Sequence, residues 1–141
     1  MAKFVQANHT LRVPTRGKGF LDISEVLRRW LQTVAAKDGL LTVFVCHTSA
    51  SLTIQENADP KVRVDLMAAL EEFAPEHGSY THAEEGPDDM PSHIKAMLTG
   101  VSLSIPIQEG AMVLGPWQGV YLIEHRTEPH ERTIALNFMG H

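Results

Sequence analysis

The chain has 141 residues, 43% of them hydrophobic, with 12 basic and 17 acidic side chains and a formal net charge of −5. This length suits one globular domain spanning residues 1–141. The excess of acid excludes the basic surface that holds nucleic acid through its phosphates. The first residues, MAKFVQANHT, lack the apolar stretch of a secretion signal, and no apolar run approaches the roughly 20 residues that cross a bilayer, so we expect neither feature. Because Cys46 is the single cysteine, we expect no disulfide and a cytoplasmic protein that binds neither nucleic acid nor membrane.

The first half of the chain carries both strand and helix signals. Residues 4–13 alternate loosely and predict a strand that ends at a cluster of proline and glycine. From Asp22 onward, apolar residues recur at steps of three and four, which predicts an amphipathic helix that ends near Gly39. Apolar and β-branched runs then predict strands at 40–46 and 51–55.

The second half begins with a helix signal. Asp59 before Pro60 predicts an N-cap, and a shorter helix is predicted from Pro91 to about Leu98. The buried face of the first of these helices is predicted to carry Val62, Leu66, Leu70 and Phe73. Strands follow at 101–107, 111–114, 119–125 and 132–138, with a hairpin turn at Glu109 and Gly110. Since no βα period repeats, we predict a single α+β domain with a mixed or largely antiparallel sheet, two main amphipathic helices and one short helix.

The segment from Gly78 to Lys95, GSYTHAEEGPDDMPSHIK, concentrates histidines and carboxylates. Gly86 and Pro87 exclude a helix through its middle, so the segment predicts a loop that directs its side chains. Imidazole suits zinc, whereas several carboxylates suit magnesium or manganese. The segment is therefore a candidate site for a divalent cation or, alternatively, a solvated acidic loop. Its candidate residues are His82, Glu84, Glu85, Asp88, Asp89 and His93.

A second candidate lies where the predicted strand 40–46 ends, at the residues CHTSAS. His47 there could serve as a metal ligand or an acid–base group, and the hydroxyls of Thr48 and Ser49 could bind a phosphate. The alternative is a strand-end turn that uses these hydroxyls for local hydrogen bonds. A nucleophilic role for Cys46 is disfavoured, because adjacent residues on a strand point to opposite faces.

Two further groups of polar residues lie directly after a predicted strand or within one. Glu56 and Asn57 lie in a short polar link and could reach a shared pocket. Glu124 alternates onto an apolar face of its predicted strand, where a half-buried carboxylate needs a partner or a metal. The alternative is an ordinary pairing of Glu124 with Arg126 two residues later.

Three motifs, HTSASLTIQENADP, EEGPDDMPSHIKA and GPWQGVYLIEHR, occur in this order over nearly the whole chain, which resembles the YjbQ-like family. The resemblance implies a compact α+β subunit of a homotrimer, with a metal-binding pocket near a subunit boundary. It also implies thiamine-phosphate synthase activity, in which a hydroxymethylpyrimidine pyrophosphate is joined to a thiazole phosphate. The family pattern falls on His47, Thr48, Ser49, Glu56, Asn57, Asp59, His82, Asp88, Asp89, His93, Gln118 and Glu124.

On this basis we predict a metal-dependent transferase that acts on a phosphorylated small molecule and releases pyrophosphate. The cation would be zinc, magnesium or manganese. The predicted ligands are His47 and His93, with His82 and Asp88; the predicted catalytic residues are Asp89, Glu124 and Asn57; the predicted substrate-binding residues are Thr48, Ser49 and Gln118. Two alternatives stay open: a metal-dependent hydrolase or lyase in which Glu124 or Asp89 activates water, and a non-catalytic trimer that binds a metal or a metabolite.

Overall fold

The computed structural model describes residues 3–141, which form three helices and two antiparallel sheets. The strands are β1 (Val5–Pro14), β2 (Gly19–Asp22), β3 (Gly39–Val45), β4 (Ala50–Glu56), β5 (Ser102–Gln108), β6 (Ala111–Met112), β7 (Gln118–Glu124) and β8 (Glu131–Gly140). The helices are α1 (Ser24–Thr33), α2 (Pro60–Phe73) and α3 (Asp89–Thr99).

The larger sheet has the strand order β1-β8-β3-β5-β6, and the smaller sheet has the order β2-β7-β4. Strand β8 lies between β1 and β3, so that Phe138 is opposite both Ala7 and Leu41. Alternating residues of both sheets point inward and meet α1 in one hydrophobic core. The predicted α+β domain with antiparallel pairing is confirmed, although the strands divide between two sheets rather than one.

Helix α1 contains the predicted apolar face, and Leu27 and Leu31 are fully buried there. It ends at Thr33 and not near Gly39, because Ala35 adopts a left-handed conformation with φ of 52°. The short strand β2 was not predicted, since its four residues follow the proline and glycine cluster directly. No helix within residues 3–141 is both long and apolar enough to cross a membrane.

Helix α2 begins at Pro60, and the Asp59 carboxylate accepts a hydrogen bond from the backbone N–H of Lys61 at 2.9 Å. The predicted cap is thus confirmed. The predicted buried face is only partly correct: Leu70 is buried, whereas Phe73 is 73% exposed. Helix α3 begins at Asp89, two residues before the predicted start at Pro91, which places Asp89 in its first turn.

Candidate functional site

The loop before α3 brings two adjacent carboxylates to the start of that helix. Gly86 has a φ of +104°, a conformation that side chains disfavour, and its carbonyl oxygen accepts the backbone N–H of Asp89 at 3.3 Å. This turn leads the chain into α3 with the side chains of Asp88 and Asp89 only 10% and 4% exposed. The loop therefore has a defined conformation at the point where it enters the helix.

Three side chains of this region, which we call the histidine–aspartate cluster, are His82, Asp89 and His93. Their candidate ligand atoms all lie within 4.8 Å of one another, the one such group of three in the described part of the chain. His82 Nε2 lies 2.6 Å from Asp89 Oδ2, and His93 Nε2 lies 3.4 Å from the same oxygen. Asp89 and His93 share a face because they are four residues apart on α3.

A backbone carbonyl fixes the orientation of the His93 ring. His93 Nδ1 lies 3.1 Å from the carbonyl oxygen of Thr48. Since a carbonyl oxygen can only accept, Nδ1 carries the hydrogen of this bond. In a neutral ring the lone pair is then on Nε2, which faces Asp89. Metal-binding histidines are commonly oriented by this type of hydrogen bond.

Arg126 holds the carboxylates from the side opposite to the histidines. Its Nη1 donates to Asp89 Oδ1 at 2.6 Å and its Nε donates to Asp88 Oδ2 at 3.1 Å. Its Nη2 donates to the carbonyl oxygen of Glu85 at 2.9 Å. The guanidinium thus connects the end of β7 to both the loop and the first turn of α3.

These contacts decide the charge state of both aspartates. Burial alone would raise the pKa of Asp89, but the hydrogen bond with His82 and the charges of His93 and Arg126 bring it below its ordinary value. Burial opposes ionisation of Asp88 as well, and the backbone N–H of Thr127 together with Arg126 lowers its pKa. Both carboxylates are therefore ionised at neutral pH.

The residues fit a divalent cation by the chemistry of their donors. Two imidazole nitrogens and one carboxylate oxygen are ligand types that zinc accepts in catalytic sites, where a further position stays open. Two of the predicted ligands, His82 and His93, belong to this set. Asp89, predicted as catalytic, lies with them as a third candidate ligand.

The structure corrects the roles predicted for His47 and Asp88. His47 Nε2 accepts the backbone N–H of Thr133 at 2.8 Å, and burial followed by the charge of Arg132 lowers the pKa of His47. The neutral ring then carries its hydrogen on Nδ1, so neither nitrogen has a free lone pair in this arrangement, and His47 is not part of the cluster that contains His93. Asp88 Oδ2 is occupied by Arg126 and by the N–H of Thr127 at 2.7 Å, and Asp88 lies outside the cluster.

Glu124 is fully buried and has no lone pair left for a metal or a water. Its Oε1 accepts from Arg132 Nε at 2.7 Å and from the Thr15 hydroxyl at 2.6 Å. Its Oε2 accepts from Arg132 Nη2 at 2.5 Å and from the backbone N–H of Arg126 at 3.1 Å. Four donors fill the acceptor capacity of a carboxylate. The alternative pairing is wrong, because the Arg126 side chain pairs with Asp88 and Asp89, and Glu124 offers no free acceptor for its predicted catalytic role.

The residues predicted to bind substrate divide between two ends of the small sheet. Thr48 contacts His93 through its carbonyl oxygen, and the Ser49 hydroxyl accepts from Arg132 at 3.0 Å. Asn57 and Gln118 lie at the far end of the β4–β7 pair, about 20 Å away at 3.3 Å per residue. They line a separate cavity of about 370 Å³ with Arg28, so the structure does not bring them to the cluster.

Two features of the site were missed by the sequence reasoning. Arg126 was considered only as a partner of Glu124, and nothing in the sequence indicated which carboxylate it would choose. Beside it, His125 is 1% exposed, its Nε2 lies 2.8 Å from the Ser51 hydroxyl, and its Nδ1 has no hydrogen-bond partner among the described residues. Burial, followed by the charge of Lys95, lowers the pKa of His125 to about 4.

A cavity adjoins the cluster on the loop side. It has a volume of about 350 Å³ and is lined in part by His82. Tyr80, Pro87 and Met90 supply apolar surface, and Glu76 supplies a carboxylate. A small molecule in this cavity would lie directly beside the histidine–aspartate cluster.

The fold and this site define a compact α+β subunit with two antiparallel sheets and a histidine–aspartate cluster at a loop–helix junction. The chain belongs to the family described as UPF0047 protein YjbQ-like, whose model matches residues 9–141.

Similar proteins cover nearly the whole chain. A UPF0047 protein of Synechocystis sp. is 46% identical over 140 residues, which are 99% of this chain and 95% of that one. The UPF0047 protein YjbQ of Escherichia coli O157:H7 is 41% identical over 132 residues, which are 93% and 96% of the two chains.

Solved structures agree with the fold. A YbjQ-like protein of unknown function from Sulfolobus solfataricus P2 superposes with a TM-score of 0.91 at 23% identity, covering 99% of this chain and 100% of that one. An uncharacterised YjbQ/UPF0047 protein of Clostridium acetobutylicum gives 0.82 at 34% identity, covering 94% and 98%.

Proposed function

We propose that the histidine–aspartate cluster binds a divalent cation and that the chain is a metal-dependent enzyme acting on a phosphorylated small molecule. One observation carries this proposal. His82 Nε2 and His93 Nε2 lie 2.6 Å and 3.4 Å from the same ionised oxygen, Asp89 Oδ2, so three donor atoms converge at a spacing that suits one divalent cation in place of the imidazole protons. The competing occupant is a proton, which would make His93 an imidazolium.

A bound divalent cation would supply Lewis acidity toward a phosphoryl oxygen or activate a water. The protein residues have separate tasks. Thr48 orients the His93 ring through its carbonyl oxygen, and Arg126 keeps Asp89 ionised. His82 connects the cluster to the adjoining cavity, whose apolar wall would hold the uncharged part of a substrate away from water.

Charge supports an anionic substrate only when the cation is present. Asp88 and Asp89 share the single guanidinium of Arg126, so this part of the site is negative without metal. A divalent cation would outweigh the remaining charge of the two carboxylates and attract a phosphate or pyrophosphate group. Substrate affinity should therefore depend strongly on the metal.

The reaction to test first is the joining of a hydroxymethylpyrimidine pyrophosphate to a thiazole phosphate with release of pyrophosphate. In this thiamine-phosphate synthase-type transfer, the site must stabilise the departing anion. We propose a homotrimer as the assembly, because the resemblance to the family implies one. The alternative hydrolase with Glu124 as base receives no support, because that carboxylate is saturated by its four donors.

The test combines metal content with turnover. We expect the purified protein to bind about one zinc per chain. Asp89→Asn and His93→Gln should lower the zinc affinity by about 100-fold or more, because even the loss of a residue that only hydrogen-bonds to a ligand lowers metal affinity by about 10- to 100-fold. His77→Gln, a change at an exposed histidine outside the cluster, is the matched control and should bind normally.

Turnover is measured as thiamine phosphate formed before and after removal of metal with a chelator. The rate should fall on chelation and return with added zinc or manganese. An unchanged rate in the metal-free protein would overturn the proposed mechanism. Metal binding without turnover would reduce the proposal to a metal-binding protein.

A further inference from the structure

The Arg126 guanidinium makes three hydrogen bonds at the junction between the loop and α3. Its three nitrogens each donate one hydrogen bond, to Asp88, Asp89 and the Glu85 carbonyl. Its side chain is 16% exposed, and its backbone N–H is held by Glu124 at 3.1 Å. Arg126 is thus anchored at both its backbone and its side chain, and it fixes the plane of the Asp89 carboxylate.

This arrangement divides the two oxygens of Asp89. Oδ1 accepts from Arg126 Nη1 at 2.6 Å, whereas Oδ2 is the oxygen that both imidazoles approach. A cation among the three side chains would consequently receive one carboxylate oxygen and two imidazole nitrogens. To ligate through both oxygens, Asp89 would have to share Oδ1 between the metal and the Arg126 guanidinium, which makes Oδ1 the poorer donor.

The two classes of divalent cation respond differently to this donor set. Zinc readily adopts four-coordination with imidazoles and a single carboxylate oxygen. Magnesium, calcium and manganese favour more oxygen ligands and depend more on carboxylate charge. By donating to Asp89 Oδ1, the guanidinium makes that oxygen a poorer ligand, and its charge offsets the negative charge of the carboxylate. Both effects weaken binding of the oxygen-preferring ions more than binding of zinc.

We propose that Arg126 is a positioning residue that sets the metal preference of the site, by making Asp89 Oδ1 a poorer ligand than Oδ2 and so favouring zinc over manganese and magnesium. This inference rests on the proposed metal site. Arg126 itself touches neither metal nor substrate in this role.

The experiment measures zinc and manganese affinities separately, zinc by competition with a chromophoric chelator and manganese by electron paramagnetic resonance. The proteins are the wild type, Arg126→Gln, Arg126→Lys and the control Arg12→Gln, which removes an exposed arginine paired with Glu131 at 3.7 Å. Arg126→Gln should raise the ratio of manganese to zinc affinity by about tenfold or more. Arg126→Lys, which keeps the charge but not the fork of donors, should give a smaller rise.

The outcomes separate this inference from the proposed function. If the wild type binds neither ion, the metal site itself is wrong. If the wild type binds zinc and both Arg126 variants keep its affinity ratio, the role of Arg126 is overturned. Circular dichroism checks folding, and Arg126→Lys decides the result if Arg126→Gln does not fold. Arg12→Gln should leave the ratio unchanged, and an equal rise there would also overturn the inference.

Discussion

Two arginine–carboxylate pairs lie near the end of β7: Arg132 with Glu124, and Arg126 with Asp89. They differ in how many acceptor positions of the carboxylate stay free. Arg132 and Thr15, with the backbone of Arg126, fill every acceptor position of Glu124. Arg126 occupies only one oxygen of Asp89, and two imidazoles approach the other. The same residue types thus produce a closed structural ion pair in one place and an open candidate ligand in the other. The number of donors around each carboxylate decides which role it can take.

The largest effect should come from breaking the closed pair. Glu124→Gln removes the charge that compensates Arg132, whose side chain is 3% exposed, and should cost about 3–5 kcal/mol of unfolding free energy. Chemical denaturation measures this loss. The double variant Glu124→Leu with Arg132→Leu should recover most of it, because no buried charge then lacks a partner. A single variant as stable as the wild type would contradict the structural role of the pair.

The second largest effect on stability should come from acid, through His125, which lies between Glu124 and Arg126 in the sequence. His125 has its pKa lowered from 6.5 to about 4 by burial, so the unfolded chain binds the proton first as the pH falls. Stability is therefore retained above about pH 6.5 and decreases by about 3 kcal/mol as the pH falls toward 4. Denaturation midpoints measured across this range should show the slope.

The matched control for this slope is His125→Gln, which keeps a hydrogen-bonding group for Ser51 but does not titrate between these pH values. It should flatten the curve between pH 6.5 and 4 while leaving the steeper loss below the ordinary glutamate pKa of 4.5. That lower limb belongs to the carboxylates whose pKa is depressed in the folded chain, which include Glu124, Asp88 and Asp89; for Glu124 the cause is Arg132 and Thr15, against the effect of its burial. An unchanged slope in the variant would mean that other groups control the upper limb.

Changing Asp89, which pairs with Arg126, should reduce the free energy of unfolding less than changing Glu124, which pairs with Arg132. Asp89→Asn keeps an oxygen for Arg126 but loses the charge, and we expect about 1–2 kcal/mol in metal-free protein. Denaturation in the presence and absence of zinc completes the comparison, since zinc should stabilise the wild type and not this variant. A loss as large as that of Glu124→Gln would remove the distinction between the two pairs.

The smallest effect is expected at an exposed pair. Arg12 on β1 and Glu131 on β8 are diagonal neighbours whose charged atoms lie 3.7 Å apart, with side chains 67% and 63% exposed. Arg12→Gln should change the unfolding free energy by less than about 0.5 kcal/mol, because solvent screens such pairs. Thermal denaturation checks this, and a larger loss would show that exposure does not separate the three arginine pairs.

Local signals in the sequence predicted those elements that are determined locally. The Asp59 cap and Pro60 start of α2 needed only neighbouring residues, and so did the turn between β5 and β6. In that turn Glu109 and Gly110 both have positive φ, of 52° and 80°, as a two-residue hairpin requires. The placement of β8 between β1 and β3 joins distant segments and leaves no local signal.

The candidate site likewise combines features that one short segment of sequence predicts with contacts between distant segments. His82, Asp89 and His93 come from one short segment, and its composition predicted a cation site there. The exclusion of His47 depends on the N–H of Thr133, and the choice of Arg126 between acids depends on how β7 meets α3. Those contacts are made across the fold and cannot be deduced from spacing in the sequence.

The central position of β8 also has a consequence for biosynthesis. Strands β1 and β3 emerge from the ribosome long before residues 131–140, and each must wait with an unpaired edge that β8 later covers. Folding of the larger sheet is therefore delayed until that strand has left the exit tunnel. A stalled or truncated nascent chain would expose two strand edges at once, and such chains should be the ones that chaperones retain or that aggregate.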